Sequence, residues 1–197
     1  MRKLLLCVSS LILGLNLHAD PQSTSKNFLD TLILFAEKQE KENLNDTALM
    51  EKLKSTIDWT AFVNRSLGKN KSKVKAADKK SFEKLLIELV ELSAFPKAKQ
   101  LLPFKNEVKL APKGKNVLVS GRWFKEKDGD RVIREFQMDL FFGPNNKIVD
   151  ATFETHSLSQ NIAKQINQHL EKKPFSDLLE QMQKRVSTLK EKDSAKK

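Results

Sequence analysis

The chain is poor in the residues that carry most active-site chemistry. It has one cysteine, Cys7, no tyrosine, and three histidines, His18, His156 and His169. Cys7 lies within the opening stretch "MRKLLLCVSSLILGLNLHA". Arg2 and Lys3 form a basic start, residues 4–17 are mostly apolar, and Ala19 precedes the polar "DPQS". This pattern predicts a secretory signal peptide over residues 1–19, cleaved near Ala19. A permanent anchor would need about 20 apolar residues, which the stretch lacks. The "LLLC" run superficially resembles a lipobox, but it lies too near the start to leave an apolar segment ahead of it. The mature chain therefore has no thiol, which excludes disulfides, and its core alone must stabilise it. No second long apolar run follows, so a soluble protein of the bacterial periplasm is expected.

The same poverty argues against catalysis. Only His156 and His169 remain after export. No GxSxG motif, glycine-rich phosphate loop or metal-spaced cluster of His, Asp and Glu is present. His156 sits between a predicted strand and a capped helix, where active-site residues are often found, but it has no evident partner. His169 reads as a favourable contact with a helix C-terminus. Asp150 lies on the strand face opposite Val149 and Ala151, as an acid inside a pocket or as a solvent-side residue. No enzyme activity, cofactor, metal site or catalytic residue is expected.

Positive charge is abundant. The formal charge is +11, and loss of Arg2 and Lys3 lowers it by two. Export argues against nucleic acid and leaves an anionic membrane surface or an acidic protein as the partner. "GKNKSKVKAADKK", residues 68–80, carries six lysines against one aspartate. It reads as a solvated loop leading into a helix, or as a contact patch for lipid headgroups or an acidic partner. "GRWFKEKDGDR" mixes aromatic and basic residues as nucleic-acid surfaces do. Trp123 nevertheless falls in register with Val117 and Val119, as a core or pocket residue would.

Periodicity supplies the architecture. Phe28, Leu29, Leu32, Ile33 and Ala36 make one helical stripe, and Leu49, Leu53 and Ile57 a second, capped near Asp46. Asp58 caps a helix carrying Trp59, Phe62 and Val63 that stops at Gly68. Phe82, Leu85, Leu86, Leu89 and Leu92 share the face of a longer helix, which Pro96 and Pro103 interrupt or end. The period then changes. "NEVKLA", "NVLVSGRWF", "DRVIREFQMDLFF" and "KIVDATFE" read as four strands joined by turns at "PKGKN", "KDGD" and "GPNN". Their inward set is Val108, Leu110, Val117, Val119, Trp123, Phe136, Met138, Leu140, Val149, Ala151 and Phe153. Ser157 and Gln160 form a capping box ahead of Ile162, Ile166 and Leu170. Pro174 is placed at N1 of the last helix, whose stripe runs from Phe175 to Leu189.

The expected fold is α+β: a curved four-stranded antiparallel sheet with helices over one face, a cone that either fills with side chains or keeps a cavity. The predicted divisions are helical 23–103, sheet 106–154 and helical 157–190 within one domain, 20–190, and a flexible tail over 191–197.

The order of four segments carries a family resemblance. "IDWTAFVNRSLG" at 57–68 is followed by "FEKLLIELV" at 82–90, "VDATFETHSLSQNIAKQI" at 149–166 and "FSDLLEQMQKR" at 175–185. This succession resembles the MlaC/toluene-tolerance family of periplasmic phospholipid-binding proteins, over about residues 25–190. The chain departs from the family pattern in having Thr155-His156 where a glycine is usual, and in lacking tyrosine. The resemblance implies an NTF2-like body with helices packed over one face of the sheet and a helical subdomain, enclosing an apolar cavity that holds acyl chains. It also implies a carrier, expected to be a monomer, that shuttles phospholipid between an outer-membrane lipoprotein complex and an inner-membrane ABC transporter complex, and so a part in outer-membrane lipid asymmetry. The candidate pocket joins the inward strand residues Val117, Val119, Trp123, Phe136, Met138, Leu140, Val149, Ala151 and Phe153 to the helical residues Trp59, Phe62, Phe82, Leu85, Leu89, Leu158, Ile162 and Ile166. On this reading Met138→Arg or Leu140→Arg empties the pocket while the fold survives in part. Two other readings stay open: a periplasmic adaptor with a filled core, and an NTF2-like enzyme using His156 or Asp150.

Overall fold

The computed structural model describes residues 20–42, 46–96, 108–127, 130–153 and 155–194. Within these, the side chains at 40–42, 123–127, 130–134 and 193–194 lie outside the description. The segment 1–19 read as a signal peptide, Pro103 and the tip of the "KDGD" turn also fall outside it.

Six α-helices and five strands are present in the described residues. They are α1 (Pro21–Glu42), α2 (Thr47–Ser55), α3 (Trp59–Leu67), α4 (Ala76–Leu89), β1 (Lys109–Lys113), β2 (Asn116–Lys127), β3 (Asp130–Phe142), β4 (Ile148–Phe153), β5 (His156–Ser157), α5 (Leu158–Leu170) and α6 (Phe175–Ser194). A short 3₁₀ turn, Gly68–Asn70, follows α3, and a π-helical turn, Val90–Ala94, continues α4. The α+β class holds, and the sheet is an antiparallel meander in the order β1-β2-β3-β4-β5. It has five strands, not the four expected. The fifth, only two residues long, pairs with Thr152 and Phe153 of β4. A strand that short has no periodicity to read.

Local chemistry explains most boundaries. Asp46 caps α2 by accepting from the Leu49 N–H at 3.1 Å, and Asp58 caps α3 by accepting from the Ala61 N–H at 2.9 Å. Gly68 ends α3 with φ +53°, a conformation that favours glycine. Ser157 caps α5, its Oγ accepting from the Gln160 N–H at 3.1 Å. Pro174 stands one residue before α6, where its carbonyl accepts from the Asp177 N–H. It is therefore outside N1. The last helix runs to Ser194, into the segment read as a tail.

The register sets two cross-strand rows on one sheet face: Leu110, Val119, Met138 and Phe153, then Val117, Leu140 and Ala151. Side chains directly opposite one another on a face pack together. The first row, with Leu140 and Ala151, joins Phe28, Leu29, Leu32 and Phe35 of α1 and Leu53 of α2 in one apolar cluster. A second cluster lies among the helices: Phe62, Val63 and Leu67 of α3, Phe82, Leu85 and Leu86 of α4, Ile166 of α5, and Met182 and Val186 of α6. The α2–α3 junction is fastened to the sheet. The Asp58 N–H donates to the Ile148 carbonyl, and the Ile148 N–H to the Thr56 carbonyl, each at 2.9 Å.

Candidate functional site

The two apolar clusters meet at the first residue of α3. Trp59 packs against both of them. Its ring lies edge-on to Phe62, with centroids 6.1 Å apart, and its indole N–H donates to the Lys54 carbonyl at 3.1 Å. That bond satisfies the polar end of the ring and leaves its apolar body facing the seam. The end of α4 lies along the same seam. Leu89 and Leu92 join the helical cluster, whereas Val90 and Phe95 join the sheet cluster. The π turn supplies this alternation, because its extra residue rotates successive side chains away from a single α-helical stripe.

Charged residues pin this segment from outside. Glu91 pairs with Lys54 at 2.8 Å, and Glu88 with Lys190 of α6 at 2.8 Å. Glu91, and after it Glu51, hold the Lys54 ammonium above its ordinary pKa. The seam is thus apolar within and ionic at its edge.

Most of the residues expected to line a pocket fall in the two clusters, but not in one group. Val119, Phe136, Met138, Leu140, Ala151 and Phe153 belong to the sheet cluster. Phe62, Phe82, Leu85, Leu89, Ile162 and Ile166 belong to the helical one, and only Trp59 belongs to both. Val117 is buried on β2 opposite Leu140. Trp123 lies in β2 by its backbone, and its side chain is outside the described residues.

Two expected lining residues are placed elsewhere. The register shifts between Phe141 and Phe142, so that Phe142 faces Ile148 and Val149 is left without a partner. A bulge of this kind breaks the alternation. Ile148 consequently joins the sheet cluster, and Val149 lies against Gly143, where a Cβ would come within 2.9 Å of its Cγ1. Leu158 is 40% exposed. Its neighbours Ser157 and Ser159 both turn inward, which directs Leu158 outward.

Those serines turn toward Asp150, which is buried on the other side of β4. Its Oδ2 accepts from the Ser157 and Ser159 hydroxyls, each at 2.7 Å. Its Oδ1 accepts from the Ser159 N–H at 3.1 Å and the Ala151 N–H at 2.9 Å. The carboxylate thus ties β4 to the first turn of α5, where the helix dipole also favours negative charge. Both of its oxygens are occupied by donors, so this is a structural acid, neither solvent-facing nor aimed into an apolar pocket. His156 is exposed, with Nδ1 3.4 Å from Thr155 Oγ1. His169 at the end of α5 lies 3.2 Å from Asp177 of α6, a contact between helices as well as with a helix end.

The sequence reading passed over contributors from α1. Phe35 is fully buried in the sheet cluster, seven residues after Phe28, a spacing that places both on one helical face. Phe95 also enters this cluster, just beyond the π turn.

Comparison with known proteins agrees with this architecture. A structure described as a phospholipid-binding protein from Ralstonia solanacearum, in complex with a phospholipid, superposes with a TM-score of 0.62. It is 16% identical, and the match covers 87% of this chain and 99% of that one. At that identity the likeness shows the shared fold. No curated protein matches the chain. The pattern of the MlaC protein family matches residues 22–184, most of the chain and all of α2 to α5. The chain belongs to the MlaC family.

Proposed function

We propose that this protein is a periplasmic phospholipid carrier. Its acyl-chain site is the apolar interior where the sheet cluster and the helical cluster meet at Trp59. The observation that carries the proposal is that seam: two packed apolar clusters joined through one half-buried tryptophan and the π turn. The phospholipid bound to the structural neighbour supports it. The residues expected to line the site are those of the two clusters, with Ile148 in place of Val149 and without Leu158. Each methylene buried contributes about 0.8 kcal/mol, so two tails bind firmly without any polar constellation. The exposed His156 and the fully bonded Asp150 favour a carrier over an enzyme. In this reading residues 1–19 direct export. The carrier, a monomer, exchanges lipid between an outer-membrane lipoprotein complex and an inner-membrane ABC transporter complex of the Mla type.

Native mass spectrometry of the mature chain, purified from a bacterial periplasm and followed by solvent extraction, tests the proposal. Stoichiometric phospholipid is expected. Met138 and Leu140 are packed too deeply in the core for an arginine to leave the fold intact. Half-buried Phe153 is the better probe. Phe153→Arg is expected to stay folded and lose lipid. An apo mass for the wild type that takes up no lipid from vesicles would overturn the carrier reading.

A further inference from the structure

The lysine-rich segment after α3 is held in place. Asn70 is buried, and its amide donates to the Asn167 side-chain oxygen of α5 at 2.6 Å. Val74 packs on the helical cluster. Gly68 lies against α5 as well, where a Cβ would sit 3.5 Å from the Ala163 Cβ. Backbone bonds from Lys71 to Gly68 and from Lys73 and Val74 to Asn70 wind the segment into successive turns. The inward residues Asn70 and Val74 fix the segment, and Lys69, Lys71, Lys73 and Lys75 are all exposed.

These four lysines stand within seven residues, a density no other stretch of the chain reaches. Lys26, Lys38, Lys54, Lys113, Lys173, Lys184 and Lys190 each pair with a carboxylate. Lys69, Lys71, Lys73 and Lys75 make no ion pair among the described residues. Four exposed ammonium groups without an ion pair on one fixed turn therefore concentrate positive potential along this short segment.

We infer that Lys69, Lys71, Lys73 and Lys75 form a docking face for the anionic surface of a phospholipid bilayer. The inference rests on the proposed carrier role, since lipid must leave or enter a bilayer system. The residue types choose the occupant. A protein partner is gripped by desolvated aromatic and arginine anchors, and this segment has neither. Lysine is a compact, strongly hydrated point charge on a flexible stem, suited to a diffuse plane of phosphates.

Flotation of the mature chain with vesicles tests the inference, comparing 3:1 phosphatidylethanolamine:phosphatidylglycerol with pure phosphatidylcholine. Wild type is expected to bind the anionic vesicles alone and to leave them at high salt. The K69Q/K71Q/K73Q/K75Q variant is expected to bind at least ~10-fold more weakly, since each lysine near such a surface contributes a several-fold factor. A control with the same charge change elsewhere, K26Q/K52Q/K113Q/K184Q, is expected to retain most binding. Equal binding to both vesicle types, an unaffected K69Q/K71Q/K73Q/K75Q variant, or an equal loss in the control would overturn the inference. So would binding to an acidic protein partner without binding to vesicles. Bound lipid, read by native mass spectrometry, is expected to be unchanged in K69Q/K71Q/K73Q/K75Q. That measurement separates failure of the docking face from failure of the carrier reading.

Discussion

Removing the Asp150 carboxylate is the sharpest test of how the sheet holds α5. In Asp150→Ala four donors lose their acceptor: the Ser157 and Ser159 hydroxyls and the Ser159 and Ala151 N–H groups. The hydroxyls lie 3.3 Å apart and can turn toward each other. The two N–H groups cannot turn. An orphaned buried donor costs about 1–3 kcal/mol, so two of them with the lost packing predict a loss of about 3–5 kcal/mol. Asp150→Asn separates charge from shape. Its amide oxygen still serves both N–H groups, and its NH₂ meets hydroxyl oxygens that rotate to accept. The expected loss is therefore smaller, about 1–2 kcal/mol. Urea titration followed by circular dichroism reads both values from the shift in midpoint at constant slope. An Asp150→Ala protein within about 1 kcal/mol of wild type would refute the account of this network. Equal losses for the two variants would instead assign the effect to charge alone.

Two further predictions concern the helices. Phe35→Ala opens a cavity beneath the sheet face and is expected to cost about 3–5 kcal/mol in the same titration; a loss under about 1 kcal/mol would mean that α1 does not seal that cluster. A hydrogen bond from Lys38, and then the Leu49 N–H, hold Asp46 below its ordinary carboxylate value of 3.8. A lowered carboxylate contributes stability that is present above the unfolded value and lost as pH falls through the folded one. Thermal melts are therefore expected to drop below about pH 4 more steeply in wild type than in Asp46→Asn, and parallel acid limbs would rule the cap out as a cause.

What was legible in the sequence was local. Asp46, Asp58 and Ser157 cap helices because a short acceptor side chain reaches an N–H three residues on, a rule confined to one turn. Strands β2, β3 and β4 showed their period, which sorts alternate residues onto the two sheet faces everywhere except at the bulge. What was not legible depends on distant contacts. The bulge at Val149 exchanges one β-branched apolar residue for its neighbour Ile148, and no composition distinguishes the two. The role of Asp150 depends on a two-residue strand bringing Ser157 and Ser159 back beside β4. Phe35 had the right spacing from Phe28, but Ile33 offered an equally regular stripe. Both pack on the sheet cluster, Phe35 fully buried and Ile33 in part, so the position of the sheet decides only which lies deeper.

The placement of Trp59 has an optical consequence. The chain has no tyrosine and two tryptophans, Trp59 and Trp123. Near-ultraviolet absorption above the phenylalanine bands, and the emission it excites, therefore come from two indoles alone. One of them stands where the two apolar clusters meet. With Trp123→Phe, the remaining emitter lies at that junction, so the wavelength and quenching of its light follow the polarity of the interior without any attached dye.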